Sequence, residues 1–120
     1  MKIINLTMHN ASPEQIEAGV IEPCELSKKT IKAILNFDEI PSHHQLTVQA
    51  ETLAMYATGF ATHAMIGGAP FFMEPLAKAL KAFGVTPVYA FSVRESIEKV
   101  LEDGSTTKTS VFKHKGFVGL

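Results

Sequence analysis

The chain contains a single cysteine, a single arginine and almost no net charge. Cys24 has no partner for an internal disulfide, which is typical of a reducing compartment, so we expect a cytoplasmic protein. The net charge of −1 provides no positive field to recruit long DNA or RNA. No window approaches the roughly 18 consecutive apolar residues of a membrane span, and the opening MKIINLT lacks a signal-peptide pattern.

The length and composition predict one soluble domain spanning residues 1–120. A chain of 120 residues with 46% hydrophobic and 19% charged residues resembles ordinary globular proteins rather than disordered ones. A single domain of this size buries roughly two-thirds of the surface that its unfolded chain exposes. We therefore look for a single packed core.

Apolar stretches rich in β-forming residues alternate with segments that have helical features. Ser12, Pro13 and Gln15 have the spacing of a capping box with proline at the first helical position, and Ser42 with Gln45 repeats the box. The alternation predicts a compact, Rossmann-like, three-layer α/β domain with a small parallel sheet. The predicted strands are 2–7, 62–68 and 85–92, and the predicted helices are 13–18, 27–37, 43–56 and 70–83.

The C-terminal segment has a different pattern. Asp103-Gly104 lies between two stretches of alternating polar and apolar residues, which favours a β-hairpin in which Glu98 faces Lys108. Residues 94–102 also fit the apolar spacing of a helix, and this remains the alternative. We expect the hairpin to extend one edge of the sheet or to project from it.

Polar and glycine residues follow each of the three predicted strands. The carboxyl ends of parallel strands lie at one rim of a sheet, where helix N-termini also point. We therefore expect these residues to converge on a ligand site. They are Thr7, His9, Asn10 and Ser12 after the first strand, Gly67, Gly68 and Ala69 after the second, and Ser92 and Arg94 after the third.

Arg94 is the one guanidinium in a chain that has ten lysines. A guanidinium binds a phosphate or a carboxylate with two parallel hydrogen bonds, which an ammonium group does not do. Arg94 is therefore a candidate phosphate ligand. The alternative is a structural ion pair with Glu95 or Glu98.

Other candidate residues each have a plain structural alternative. Gly67 and Gly68 let a phosphate approach the backbone, or they only make a tight strand-to-helix turn. His9 is a possible proton donor or a loop residue, and His63 fits a packed histidine. His114, in KHK, fits a solvated face, and the alternative is that its two lysine neighbours attract an anionic ligand. The histidine and cysteine spacing matches no zinc site, and the sequence indicates no cofactor.

The segment 84–117 resembles the C-terminal part of a family of small CRISPR-associated ring nucleases. The shared features are a PVYA strand with an arginine shortly after it, a DG hairpin, and a phenylalanine-x-histidine followed by a further aromatic residue. The opening NLTMHNASPEQ is similar to the family's first strand, histidine and helix start, although Met8 here separates Thr7 from His9. Residues 20–60 show no match. The positions that carry the resemblance are Pro87, Tyr89, Arg94, Asp103, Gly104, Phe112, His114 and Phe117.

The resemblance implies antiviral defence through binding of a cyclic oligoadenylate, commonly across a homodimer. Cleavage in that class needs no metal, because the enzyme aligns a ribose 2′-hydroxyl with the adjacent phosphate. His9, Ser12 and Arg94 would then be the catalytic residues, and the remaining rim residues would bind the ligand. Two alternatives stay open. One is a non-catalytic protein that sequesters the messenger, as some phage proteins do, and the other is a housekeeping α/β module that shares only the fold.

Overall fold

The computed structural model describes residues 1–119 and shows an α/β protein. Its strands and helices alternate at first and end in two long strands. In chain order they are β1 (Ile3–Asn5), α1 (Pro13–Glu17), β2 (Val20–Ile21), α2 (Glu25–Leu35), α3 (His43–Ala57), β3 (His63–Met65), α4 (Pro70–Ala82), β4 (Thr86–Val100) and β5 (Thr106–Gly119).

The five strands form one mixed sheet in the order β2-β1-β3-β4-β5, curled as a half-barrel. β1 pairs in parallel with β2 and β3, and β3 pairs in parallel with the start of β4. β4 and β5 are antiparallel. The parallel sheet was predicted, but β2 was not. With two residues, β2 is too short to show a periodicity in sequence.

The main core lies between one face of the sheet and the helices α2, α3 and α4. Strand side chains alternate between faces, so Ile4 and Ala64 point into this core while Ile3 and Met65 point to the other side. A smaller cluster of Ile3, Val20, Met65 and Val88 lies there, packed against Ala11 and Phe117. The short helix α1 follows Ala11 in sequence, but it buries none of its side chains and adds nothing to this smaller cluster.

Two helices, α1 and α3, begin at the serine caps that the sequence predicts. The Ser12 hydroxyl accepts a hydrogen bond from Gln15 N at 3.2 Å, and Gln15 Oε1 accepts one from Ser12 N at 3.0 Å, which completes the predicted capping box. Ser42 Oγ likewise accepts from Gln45 N at 3.1 Å. Each cap satisfies an N–H group that has no partner within the helix.

The predicted hairpin is confirmed, and the helical alternative for residues 94–102 is wrong. Glu98 lies opposite Lys108, and Gly104 has the left-handed φ of +85° expected at the turn. The third predicted strand and the first hairpin strand are one continuous element, β4. Residues 92–94 therefore lie within a long strand rather than at a strand end.

The molecule is more extended than predicted. Its radius of gyration is 17.2 Å and its longest axis is 60 Å, whereas a compact domain of this length has a radius of gyration of about 14 Å. The outer part of the hairpin accounts for the difference, because most side chains beyond Ser92 are exposed. Within residues 1–119, no helix combines the length and the apolar character that crossing a membrane requires.

Candidate functional site

A cavity of about 800 Å³ lies beside the carboxyl ends of β1 and β3 and continues along the hairpin. Ligand pockets commonly have volumes of roughly 300–1,000 Å³. Seven of the residues predicted at the rim line this cavity. They are Thr7, His9, Asn10, Ser12, Gly67, Gly68 and Ser92, and they are joined by Met8, Glu14, Gln15, Met65, Ile66, Tyr89, Ala90, Phe112 and His114.

The segment after β1 is held by the side chain of Asn5, which is only 3% exposed. Asn5 Oδ1 accepts hydrogen bonds from Thr7 N at 3.0 Å and from Thr7 Oγ1 at 2.7 Å. Asn5 Nδ2 donates to the His9 carbonyl oxygen and to Glu22 Oε1, both at 2.7 Å. One buried amide thus fixes the turn that presents Thr7 and His9 to the cavity.

Glu22 ties the same segment to β2 and α2. Its Oε1 also accepts from Ala11 N at 2.7 Å, and its Oε2 lies 3.0 Å from Lys28 Nζ. Burial raises the pKa of this carboxyl, but the hydrogen bonds from Asn5, Ala11 and Lys28 outweigh burial and hold the pKa below its ordinary value. Glu22 is therefore ionised at neutral pH and acts as a fixed acceptor.

Lys28 brings a positive charge to this side of the site. Its Nζ donates to Asn10 Oδ1 at 3.2 Å as well as pairing with Glu22. Hydrogen bonding to Glu22 raises the pKa of Lys28 above its ordinary value. Because Lys28 also bonds to the Asn10 amide oxygen, the Asn10 amide nitrogen is free to face a ligand.

The glycine turn after β3 forms another part of the cavity wall. Gly68 has a φ of +147°, which side-chain-bearing residues rarely adopt, so glycine is required there. Gly67 has no such constraint, and a Cβ at that position would lie 3.7 Å from Thr7 Cγ2, an ordinary contact. Among residues 1–119, the N–H groups of Gly67 and Gly68 donate no hydrogen bond to the chain. Both stay available to an acceptor in the cavity.

One face of the hairpin forms a further part of the cavity wall, and a β-bulge lies at the start of this part of the hairpin. The register of β4 and β5 shifts between Phe91 and Ser92, so that Ser92 lies opposite His114 and Arg94 lies opposite Phe112. Since strand residues two apart share a face, these four side chains lie on one side of the hairpin. Ser92, His114 and Phe112 line the cavity, and Arg94 stands beside its outer end.

Arg94 and Ala69 are the two predicted site residues that do not line the cavity. The Arg94 guanidinium lies over the Phe112 ring, with Cζ 5.3 Å from the ring centroid. Within the described residues, Arg94 makes no ion pair, and Glu95 pairs with Lys115 at 3.7 Å instead. The structure thus gives Arg94 an aromatic neighbour rather than the carboxylate partner that was the alternative.

His114 differs most from expectation. The prediction of a solvated face is wrong, because both ring nitrogens are buried and neither has a hydrogen-bond partner among the described residues. The ring packs against Phe117 in a T-shaped arrangement, with centroids 4.9 Å apart. The burial of His114 was not predictable from KHK, because all three residues are polar. In the strand, His114 points inward while its two lysine neighbours are exposed.

The site's charges are few. The cavity lining contains one carboxylate, Glu14, two histidines and no lysine or arginine. An anionic ligand would therefore depend on neutral donors such as hydroxyls, amides and backbone N–H groups. Residues 1–119 contain no group of three histidine, cysteine, aspartate or glutamate side chains able to hold a metal ion. Cys24 is exposed and outside the cavity.

Comparison with known proteins adds one relationship. A family model described as "Uncharacterized protein MJ1673 family" matches residues 1–118 of the chain. No curated protein and no solved structure gives a match. The match covers nearly the whole chain and includes every helix and strand from β1 to β5. The chain therefore belongs to the MJ1673 family.

Proposed function

We propose that this protein binds a small nucleotide, a cyclic oligoadenylate, in the cavity at the carboxyl ends of β1 and β3. One observation carries the proposal: polar groups from three distant parts of the chain line a single cavity of about 800 Å³. Parallel sheets that bind nucleotides commonly do so at this rim, and the order β2-β1-β3-β4 is compatible with a Rossmann-like relationship.

The cavity offers complementary chemistry for each part of a nucleotide. The free N–H groups of Gly67 and Gly68 suit a phosphate oxygen, helped by the N-terminus of α4. The exposed ring of Phe112 provides a surface on which a base can stack. The Thr7 and Asn10 side chains suit ribose hydroxyls. Each phosphodiester of the ring carries a single negative charge, so a lining without lysine or arginine suits one of these groups better than a polyphosphate.

A ring-shaped messenger is larger than one such cavity. Two copies related by a twofold axis would place two cavities on one symmetric ligand, so the proposal includes a homodimer. The proposal includes no binding to long nucleic acids or to membranes. The molar mass in solution, measured by light scattering with and without ligand, tests the dimer.

Cleavage is the extension that the family resemblance implies. The ribose 2′-oxygen would attack the neighbouring phosphorus, the bond to the 5′-oxygen would break, and the 2′-proton would leave to a base while the 5′-oxygen gains one. His9 would serve as the acid or base, with Ser12 and Arg94 orienting the phosphate.

One observation favours the sequestering alternative over cleavage. The Ser12 hydroxyl is already occupied in capping α1, and Arg94 stands outside the cavity lining. Of the three candidate catalytic side chains, one is thus engaged in a helix cap and another lies outside the cavity lining. A protein with this arrangement would hold the messenger without cutting it unless the hairpin moves inward.

Incubation with cyclic tetra-adenylate and cyclic hexa-adenylate in EDTA separates these functions. Linear products, resolved by chromatography, would establish a metal-independent nuclease, and a His9→Ala variant should then lose the activity. Tight binding with the ring recovered intact would establish a sequestering protein. Absence of binding to either ring at micromolar protein would refute the proposal and leave a module that shares only the fold.

A further inference from the structure

The imidazole of His114 is the one ring in the described cavity wall whose two nitrogens are both buried and unpaired. An unsatisfied buried polar group destabilises the fold, so native proteins rarely keep one without a reason. Nothing in the packing requires a histidine here. The T-shaped contact with Phe117 could be made equally well by an apolar ring.

The surroundings of His114 show where its partner would lie. Its position on β5 faces Ser92 on β4, and both side chains line the cavity. Phe112, two residues away on the same face, is 71% exposed at the outer end of the same cavity. Arg94 stands over Phe112. A ligand that stacks on Phe112 would therefore have its sugar and phosphate groups beside His114 and Ser92.

We propose that His114 is a ligand-binding residue that turns its imidazole into the cavity when a nucleotide is bound. In the ligand-free protein the ring lies against Phe117 with its nitrogens unpaired. In the complex a ring N–H donates to a phosphate oxygen and the Ser92 hydroxyl donates to a neighbouring oxygen. This inference rests on the proposed nucleotide binding and adds to it a second contact, on the hairpin, opposite the glycine turn.

The arrangement has an energetic consequence. In the ligand-free protein, the two buried ring nitrogens have no hydrogen-bond partner, and this raises the free energy of that state. The ligand relieves this cost by supplying the missing partners. His114 thus favours binding by being poorly satisfied in its absence.

Replacement of His114 by phenylalanine separates this role from a structural one. The variant keeps a flat ring against Phe117 and removes two unpaired nitrogens, so its midpoint of urea unfolding should equal or exceed that of the wild type. Its affinity for cyclic tetra-adenylate, measured by calorimetry, should fall about tenfold or more. Lys113→Ala, which changes the outward-facing neighbour on the same strand, is the matched control and should change affinity by less than about threefold.

His114→Gln provides a second variant that keeps hydrogen-bonding groups, and it should recover part of the lost affinity. Imidazole ¹⁵N chemical shifts in the wild type should change when cyclic tetra-adenylate is added. If the wild type binds the ring but His114→Phe binds it equally well, the inference is wrong while nucleotide binding stands. If His114→Phe is much less stable than the wild type, the ring nitrogens have partners in the fold, and the inference is likewise overturned. If the wild type itself fails to bind, the proposed function fails first.

Discussion

Asn5 and Glu22 are joined by a hydrogen bond of 2.7 Å from Asn5 Nδ2 to Glu22 Oε1, and this contact connects the end of β1 to the residue after β2. Both side chains also bond to the segment between them. Asn5 holds Thr7 and His9, and Glu22 holds Ala11. The cavity wall is therefore built on a polar network rather than on apolar packing alone.

We predict that Glu22→Gln lowers the free energy of unfolding by about 1–3 kcal/mol at pH 7, because a charged acceptor of several hydrogen bonds is lost. Glu25→Gln is the control, since Glu25 contacts the same Lys28 at 3.7 Å but is largely exposed. That change should cost less than about 1 kcal/mol. Urea unfolding of both variants measures the difference, and equal effects would contradict a special role for Glu22.

The pH dependence of stability should follow the lowered pKa of Glu22. A carboxyl whose pKa is lower in the folded state stabilises the fold at pH values above its ordinary value of 4.5. That contribution is lost as the pH falls through the folded-state pKa. Unfolding midpoints of the wild type should therefore fall more steeply below about pH 4.5 than those of Glu22→Gln. Parallel curves for the two proteins would show that Glu22 does not carry this dependence.

Asn5→Ala should loosen the segment 7–12 in particular. It would leave the Thr7 N–H without its acceptor and would remove one of the two hydrogen bonds that the His9 carbonyl accepts, at a total cost of about 1–3 kcal/mol. Hydrogen exchange at Thr7 and Ala11 should accelerate more than exchange in α4, which lies on the other side of the sheet. Asn36→Ala is a suitable control, because Asn36 bonds only to Asp38 at the surface. Uniform acceleration across the chain would indicate general destabilisation instead.

The two glycines of the turn after β3 should respond differently to alanine. Gly68→Ala forces a side chain into a φ of +147° and should destabilise the fold by about 1–3 kcal/mol. Gly67→Ala should leave the unfolding midpoint nearly unchanged, since its Cβ meets only Thr7 Cγ2 at 3.7 Å. If the glycine turn binds phosphate, Gly67→Ala should weaken binding of cyclic tetra-adenylate, because a methyl group crowds the N–H groups. Normal binding by a folded Gly67→Ala variant would remove the turn from the site.

Arg94→Lys tests the guanidinium while keeping the charge. We expect roughly tenfold weaker binding of cyclic tetra-adenylate, because a lysine loses the two-pronged hydrogen bond and the flat contact with Phe112. Unfolding should change by less than about 1 kcal/mol at this exposed position. Lys99→Arg, on the opposite face of β4, is the reciprocal control and should bind normally. Unchanged affinity in Arg94→Lys would restrict Arg94 to its contact with Phe112.

Local signals predicted much of the fold. The caps at Ser12 and Ser42 and the Asp103-Gly104 turn are short-range features, and each depends on hydrogen bonds or φ values that neighbouring residues determine. β2 was not predicted, because a strand of two residues is too short to show an alternation of polar and apolar side chains. The continuity of β4 was not predicted either, since the apolar strand changes to a polar-apolar alternation after Ser92 without any interruption of the backbone.

The sequence predicted where the site lies, but not the hydrogen bonds that support it or the inward direction of His114. Parallel topology brought Thr7 and Gly67 to one cavity, because strand ends meet at a rim, whereas Ser92 reaches the cavity from within β4. The supporting pair of Asn5 and Glu22 depends on a contact between residues 17 positions apart, which no local pattern reveals. The inward direction of His114 depends on the bulge between Phe91 and Ser92, whose extra residue shifts the alternation of faces.

The cavity joins residues close to both ends of the chain, with Thr7 on one wall and Phe112 on the other. A molecule that touches both walls therefore binds only when nearly the whole polypeptide is folded. A ligand that binds only the folded state raises the stability of the fold by an amount that grows with the logarithm of the ligand concentration. Thermal unfolding scans against a set of nucleotides would therefore identify the natural ligand without any assay of its chemistry.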